Sequence, residues 1–165
     1  MGEEKEVFSQ VLKHKGFYNY SDTYNFCYNW FKNEGYNISE DEYTEKVSGA
    51  KEILIKWKAK KKITDYFQYI IEVNWHILGQ TDVEVEENGK KIKTNKGEVK
   101  LTIKAKVKRD YEETWDKQPF YKFLRGIYDK YILRTTIDEY EDILTDKAQK
   151  FVEETKAFLN LEGKR

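Results

Sequence analysis

The sequence predicts an α+β protein, and two patterns carry that prediction. Over residues 97–109, every odd position from Val99 to Val107 is apolar and every even position from 98 to 108 is polar, mostly lysine. Residues 51–60 repeat this alternation, which is typical of a strand with one buried and one hydrated face. Over residues 135–159 the apolar residues recur at helical spacing instead. We therefore expect residues 1–165 to form one domain with a one-faced antiparallel sheet.

The N-terminal part of the chain predicts a strand followed by a helix. Residues 8–18 are interpreted as an edge strand because Gly16 fits poorly inside a helix, although the helical spacing of residues 7–12 leaves a helix over 5–18 as the alternative. Residues 21–34 are predicted to be helical, with Ser21 as the N-cap and Gly35 as the stop.

The middle of the chain predicts a meander of antiparallel strands. Its strand segments are 42–48, 51–60, 66–78, 82–86, 91–95 and 97–109. Asn88-Gly89 lies between two of these segments and indicates a tight hairpin, because both turn positions need positive φ. We expect these segments, with the N-terminal strand, to form a sheet of five to six strands.

Two C-terminal helices are predicted, over 118–132 and 135–159, with Pro119 in the first turn of the former. Both would cover the apolar face of the sheet. This order of elements resembles that of helix-grip or START-like domains. In those domains a curved sheet wraps a long C-terminal helix around a ligand cavity, so the resemblance implies a cavity between sheet and helix.

The composition indicates a cytoplasmic protein without bulk attraction to nucleic acid or lipid. Lysine plus arginine and aspartate plus glutamate number 30 each. Cys27 is the only cysteine, which excludes an internal disulfide, and we expect it in the core. The charged N-terminus does not resemble a signal peptide, and no apolar run is long enough for a membrane span. The charged fraction of 36% fits a thermophile, although an AT-rich genome gives a similar bias.

Catalysis has little support in the sequence, so we expect a non-catalytic binding protein without metal or cofactor. No phosphate-binding loop, nucleophile motif or metal-ligand pair occurs, and His14 and His76 are the only histidines. His76 lies on the polar side of a predicted strand. It is interpreted either as an exposed strand residue or as a pocket residue that titrates near neutral pH.

The first hypothesis is that aromatic residues bind a protein partner or an apolar small molecule. The expected binding residues lie on the inner sheet face and on the aromatic helix near 120–134: Trp57, Tyr69, Trp75, Phe120, Phe123 and Tyr128. The alternative is that these residues simply form the core.

The second hypothesis is that a lysine-rich sheet face binds nucleic acid or the ribosome. Its residues are Lys56, Lys58, Lys60, Lys100, Lys104, Lys106 and Lys108, together with Tyr66 as a ring for base stacking. Lysine is also the ordinary residue of a hydrated sheet face. A third hypothesis, peripheral membrane association, rests on the lysine, arginine and tyrosine residues interleaved near 120–134.

Overall fold

The structure is a computed structural model and describes residues 3–109, 123, 124, 126, 127 and 134–163. Its elements are, in chain order, β1 Glu3–Tyr18, α1 Tyr20–Asn33, β2 Asn37–Ser48, β3 Ala50–Lys62, β4 Phe67–Glu87, β5 Lys90–Arg109 and α2 Arg134–Gly163. The predicted α+β class is confirmed. The strand interpretation of residues 8–18 is also confirmed, because this segment lies within β1.

The described strands form one antiparallel sheet of five strands, in the spatial order β1-β5-β4-β3-β2. Strands β2 to β5 are a meander, as predicted. β1 completes the sheet by pairing with β5, the last strand in sequence. This pairing places Leu12 opposite Leu101 and Lys13 opposite Lys100.

Two long strands replace four of the predicted segments. Segments 66–78 and 82–86 are continuous in β4, and segments 91–95 and 97–109 are continuous in β5. Gly79 was expected to end a strand. It has a φ of 65° and instead lies in a β-bulge, where the register of β4 against β5 shifts between Leu78 and Thr81. The Asn88-Gly89 turn is as predicted, with φ values of 53° and 77°.

The described residues contain one C-terminal helix, α2, rather than the two that were predicted. The helix predicted over 118–132 lies outside the described residues, apart from 123, 124, 126 and 127, whose backbone is helical. In the described part of the chain, neither helix combines the length and apolar character that a membrane span requires.

α1 begins one residue earlier than predicted and has a different N-cap. The side-chain oxygen of Asn19 accepts a hydrogen bond from the backbone N–H of Asp22 at 2.9 Å. The prediction of Ser21 was therefore wrong. Asparagine and serine are about equally favoured at this position, so sequence preference alone did not separate them.

Both helices pack on one side of the sheet, here called the inner face. The ring of Tyr24 on α1 lies 5.0 Å from that of Trp57 on β3, between centroids. Phe151 on α2 contacts Phe31 on α1 at 4.8 Å, and the buried Cys27 lies 3.9 Å from the hydroxyl of Thr155. The two helices and the inner face therefore share one core. The opposite side of the sheet is called the outer face, and no described element covers it.

Candidate functional site

The inner-face aromatic residues that were predicted to bind a ligand lie together, but inside the core. Trp57, Tyr69 and Trp75 are 2%, 4% and 2% exposed. Trp57 Nε1 donates a hydrogen bond to Glu40 Oε1 at 3.1 Å, and the hydroxyl of Tyr69 donates to the Tyr140 carbonyl at 2.7 Å. The rings of Trp57 and Trp75 are 5.1 Å apart. These side chains present little surface to a ligand.

Most of the predicted binding residues on the aromatic helix lie outside the described residues. Phe120 and Tyr128 lie outside the described residues. Phe123 is described and is 66% exposed. A role for these three residues stays a prediction.

The predicted lysine face is present on the outer face, but its two strands are not neighbours. Lys56, Lys58 and Lys60 are on β3, and Lys100 to Lys108 are on β5, with β4 between them. In each strand these lysines alternate with buried inner-face residues, so all seven point to the outer side.

Acidic residues neutralise part of this lysine face. Lys56 pairs with Glu42 at 3.2 Å, and Lys106 pairs with Glu72 at 3.0 Å. The hydrogen bond that Lys106 donates to the Glu72 carboxylate raises the pKa of Lys106. Lys108 is 4.0 Å from a carboxylate oxygen of Glu4. Within the described ranges, the members without an ion-pair partner are Lys58, Lys60, Lys100 and Lys104.

Tyr66, the residue proposed to stack on a base, lies just before β4 and is buried at 8% exposure. Its ring packs edge-on against Phe67 at 5.1 Å between centroids. A base would need a rearrangement to reach this ring, which weighs against its use for stacking.

The most promising site is a cavity of about 440 Å³ on the outer face, over β1, β5 and β4. We call it the outer trough. The residues that define it come from two adjacent cross-strand rows: Lys13, Lys100 and His76 in one, and Lys15, Glu98 and Leu78 in the other. Sequence analysis did not predict this site.

Glycines shape the floor beside the outer trough. Gly16 of β1 pairs with Gly97 of β5, and Gly79 of β4 lies in the adjacent bulge. A Cβ atom on Gly97 would lie 3.0 Å from the Leu78 carbonyl oxygen, so any larger residue there would crowd the backbone of the bulge. These three glycines line a further depression of about 410 Å³ that shares Leu78 with the trough. Since a bulge bends its strand, we expect β4 to bend beside the trough.

The charges in the trough are unbalanced along one row. Lys13 of β1 and Lys100 of β5 are directly opposed, so their Cβ atoms are about 5 Å apart. On the other side of Lys100, His76 of β4 is its cross-strand partner. Lys15 pairs with Glu98 at 3.3 Å, and His76 Nε2 is 3.3 Å from Glu52 Oε1. Neither Lys13 nor Lys100 has an ion-pair partner in the described part of the chain. Like charges that face each other in this way destabilise a sheet.

A smaller depression of about 240 Å³ continues the outer trough towards β3 and also includes His76 and Lys100. Its lining combines the polar side chains of Asn74, Thr102 and Glu42 with the apolar side chain of Leu54. Asn74 and Thr102 are directly opposed on β4 and β5. Charged and hydrogen-bonding groups therefore lie next to each other on this part of the outer face.

The trough brings cationic and hydrogen-bonding side chains together. Its ammonium groups and histidine ring suit an anion. Among the described residues, no group of three histidine, cysteine, aspartate or glutamate side chains is placed to hold a metal. Cys27 is buried in the core, where desolvation raises its pKa to about 12 and keeps the thiol protonated.

Comparison with protein-family models, curated proteins and solved structures found no match to this chain. Its function is therefore argued from the geometry of the outer trough.

Proposed function

We propose that this protein is a non-catalytic binding protein that holds a small anionic ligand in the outer trough. The observation that carries the proposal is the facing pair Lys13 and Lys100, which lies in a cavity of about 440 Å³ and has no ion-pair partner among the described residues. The one carboxylate in the described lining, Glu98, pairs with Lys15. An anion between the two ammonium groups removes their mutual repulsion and forms charge-assisted hydrogen bonds.

The net charge of the chain indicates that these lysines would attract an anion at the trough itself and not through a positive field of the whole protein. Positive and negative residues balance at 30 each, so the protein as a whole does not attract anions. Lys56 on β3 pairs with Glu42, and Lys106 and Lys108 at the far end of β5 lie close to Glu72 and Glu4. The trough row is where positive charge faces positive charge.

The test compares two variants that each remove two positive charges from the outer face. Lys13→Gln/Lys100→Gln changes the trough, and Lys60→Gln/Lys104→Gln is the matched control outside it. We expect sodium phosphate to raise the thermal unfolding midpoint of the wild type and of the control above their values in sodium chloride of equal ionic strength. The trough variant should show no such increase. Equal increases in both variants would show that phosphate stabilises the protein without occupying the trough, as an anion excluded from protein surfaces does, and would contradict the proposal.

We propose further that the elements have a helix-grip, START-like arrangement. Support comes from the pairing of β1 with β5 and from α2 lying over these two strands. In that arrangement the usual cavity lies between the inner face and the helix. In this protein, the side chains of Trp57, Tyr69 and Trp75 are buried there and pack in the core. A hydrophobic ligand or protein partner at Phe123 and the neighbouring aromatic helix remains a separate prediction. The cytoplasmic location also remains a proposal, supported by a single, buried cysteine.

Nucleic-acid binding is the second candidate function. It is favoured by Lys58, Lys60, Lys100 and Lys104, which share the outer face and have no ion-pair partner within the described residues. A DNA or RNA ligand should lose affinity steeply as salt increases, because lysines that neutralise phosphates release counterions. A flat salt response in a filter-binding or anisotropy assay would exclude this candidate.

A further inference from the structure

The outer trough and the polar depression beside it form one continuous surface. His76 and Lys100 line both the cavity of about 440 Å³ and the depression of about 240 Å³. An anionic group held by Lys13 and Lys100 therefore lies at the boundary between the two. A ligand larger than a simple anion can extend from that boundary without leaving the protein surface.

The polar depression offers hydrogen bonds immediately beside the charged row. Asn74 precedes His76 by two residues on β4, and Thr102 follows Lys100 by two residues on β5. Two residues along a strand span about 6.7 Å, which places this hydrogen-bonding row within reach of a group attached to the anion.

The groups in this row suit hydroxyl groups of a ligand. The Asn74 amide and the Thr102 hydroxyl can each donate and accept, and neither side chain has a hydrogen-bond partner among the described residues. The Glu42 carboxylate, held by Lys56 at 3.2 Å, is a third acceptor in the same depression. An alkyl chain would leave these polar groups without partners.

We infer that the ligand of the outer trough is a phosphorylated sugar, with its phosphate on Lys13 and Lys100 and its hydroxyl groups on Asn74 and Thr102. This inference rests on the proposed anion-binding function and adds the class of ligand. The apolar side of the trough, at Leu78, gives the competing possibility of an alkyl phosphate, because this side chain is 41% exposed.

Isothermal titration calorimetry with three probes separates these ligands: inorganic phosphate, glucose 6-phosphate and n-octyl phosphate. We expect glucose 6-phosphate to bind about tenfold more tightly than inorganic phosphate, as two added hydrogen bonds would give. Octyl phosphate should bind no more tightly than inorganic phosphate. In Asn74→Leu/Thr102→Val, glucose 6-phosphate should fall to the affinity of inorganic phosphate, whose own affinity should not change.

Each other outcome has a distinct meaning. If inorganic phosphate binds but glucose 6-phosphate gains nothing, or octyl phosphate binds more tightly, the sugar assignment is overturned while anion binding stands. If none of the three probes binds, the proposed function fails as well. Should the double variant not fold, as judged by circular dichroism, Thr102→Val alone provides the test. It keeps a β-branched residue on β5 and should lower the affinity for glucose 6-phosphate about threefold to fivefold, and an unchanged affinity would overturn the assignment.

Discussion

The two faces of the sheet are made by the same strands but differ in what covers them. Along β5, Val99, Leu101 and Ile103 are buried under the helices, whereas Lys100 and the other even-numbered residues from 98 to 108 point to the outer face, which no described element covers. The inner face is filled with aromatic and branched side chains, and the outer face holds the open trough. Alternate residues over 98–108 of β5 therefore have different environments: the odd positions pack in the core, and the even positions lie on the outer face. We propose that part of this outer face binds a ligand.

The sharpest way to test this division is to replace two consecutive residues of β3. Trp57→Ala removes a buried ring that packs on Trp75 and Tyr24 and donates a hydrogen bond to Glu40. We expect a loss of about 3–5 kcal/mol in the free energy of unfolding. Lys58→Ala, on the outer side, should change it by less than about 0.5 kcal/mol. Urea unfolding measures both, and similar losses would contradict the division.

The glycine row tests whether the bulge beside the outer trough depends on a close backbone approach. Gly97→Ala would bring a Cβ atom to 3.0 Å from the Leu78 carbonyl oxygen and 3.1 Å from Gln80 Cα. Because both neighbours are backbone atoms, we expect a loss of about 1–3 kcal/mol. Lys104→Ala, on the outer face of the same strand, is the control and should be nearly neutral. A stable Gly97→Ala protein would show that the bulge can relax.

Alkaline pH should lower the free energy of unfolding through the buried thiol of Cys27. Burial raises the pKa of this thiol from 9.0 to about 12. The folded state then keeps its proton while the unfolded chain releases it above pH 9, so the stability contributed by the neutral thiol is lost as the pH rises from 9 to 12. Unfolding free energies at pH 8 and pH 10 should differ by about 1.4 kcal/mol more in the wild type than in Cys27→Ala. Equal differences in the two proteins would contradict the buried placement.

The strands could be predicted from the sequence because their signals are local. The alternation over 97–109 correctly identified the C-terminal part of β5, and Asn88-Gly89 correctly identified the hairpin before it. Gly79 was misleading, since a glycine that ends a strand and a glycine in a bulge look alike in sequence.

The outer trough could not be predicted, because it depends on the pairing of β1 with β5. Lys13 and Lys100 lie far apart in the chain, and nothing near either residue indicates that they face each other. The two lysines of the Lys13-His14-Lys15 segment were the only local hint of a positively charged site. Without the strand order, the sequence did not show which residues of another strand they would face. Burial also cannot be read from residue type, which is why Tyr66 was expected on the outer face and lies in the core.

The central claim is that the facing lysines of the outer trough are present for binding and not for stability. The most direct measurement is the urea unfolding free energy of Lys13→Gln/Lys100→Gln at low ionic strength, without added anions. We predict that this variant is more stable than the wild type by about 0.2–1 kcal/mol, and that the gain shrinks as sodium chloride is added. Lys60→Gln/Lys104→Gln should show no such gain. A trough variant less stable than the wild type by about 1 kcal/mol or more would mean that these lysines support the fold, and would contradict the account.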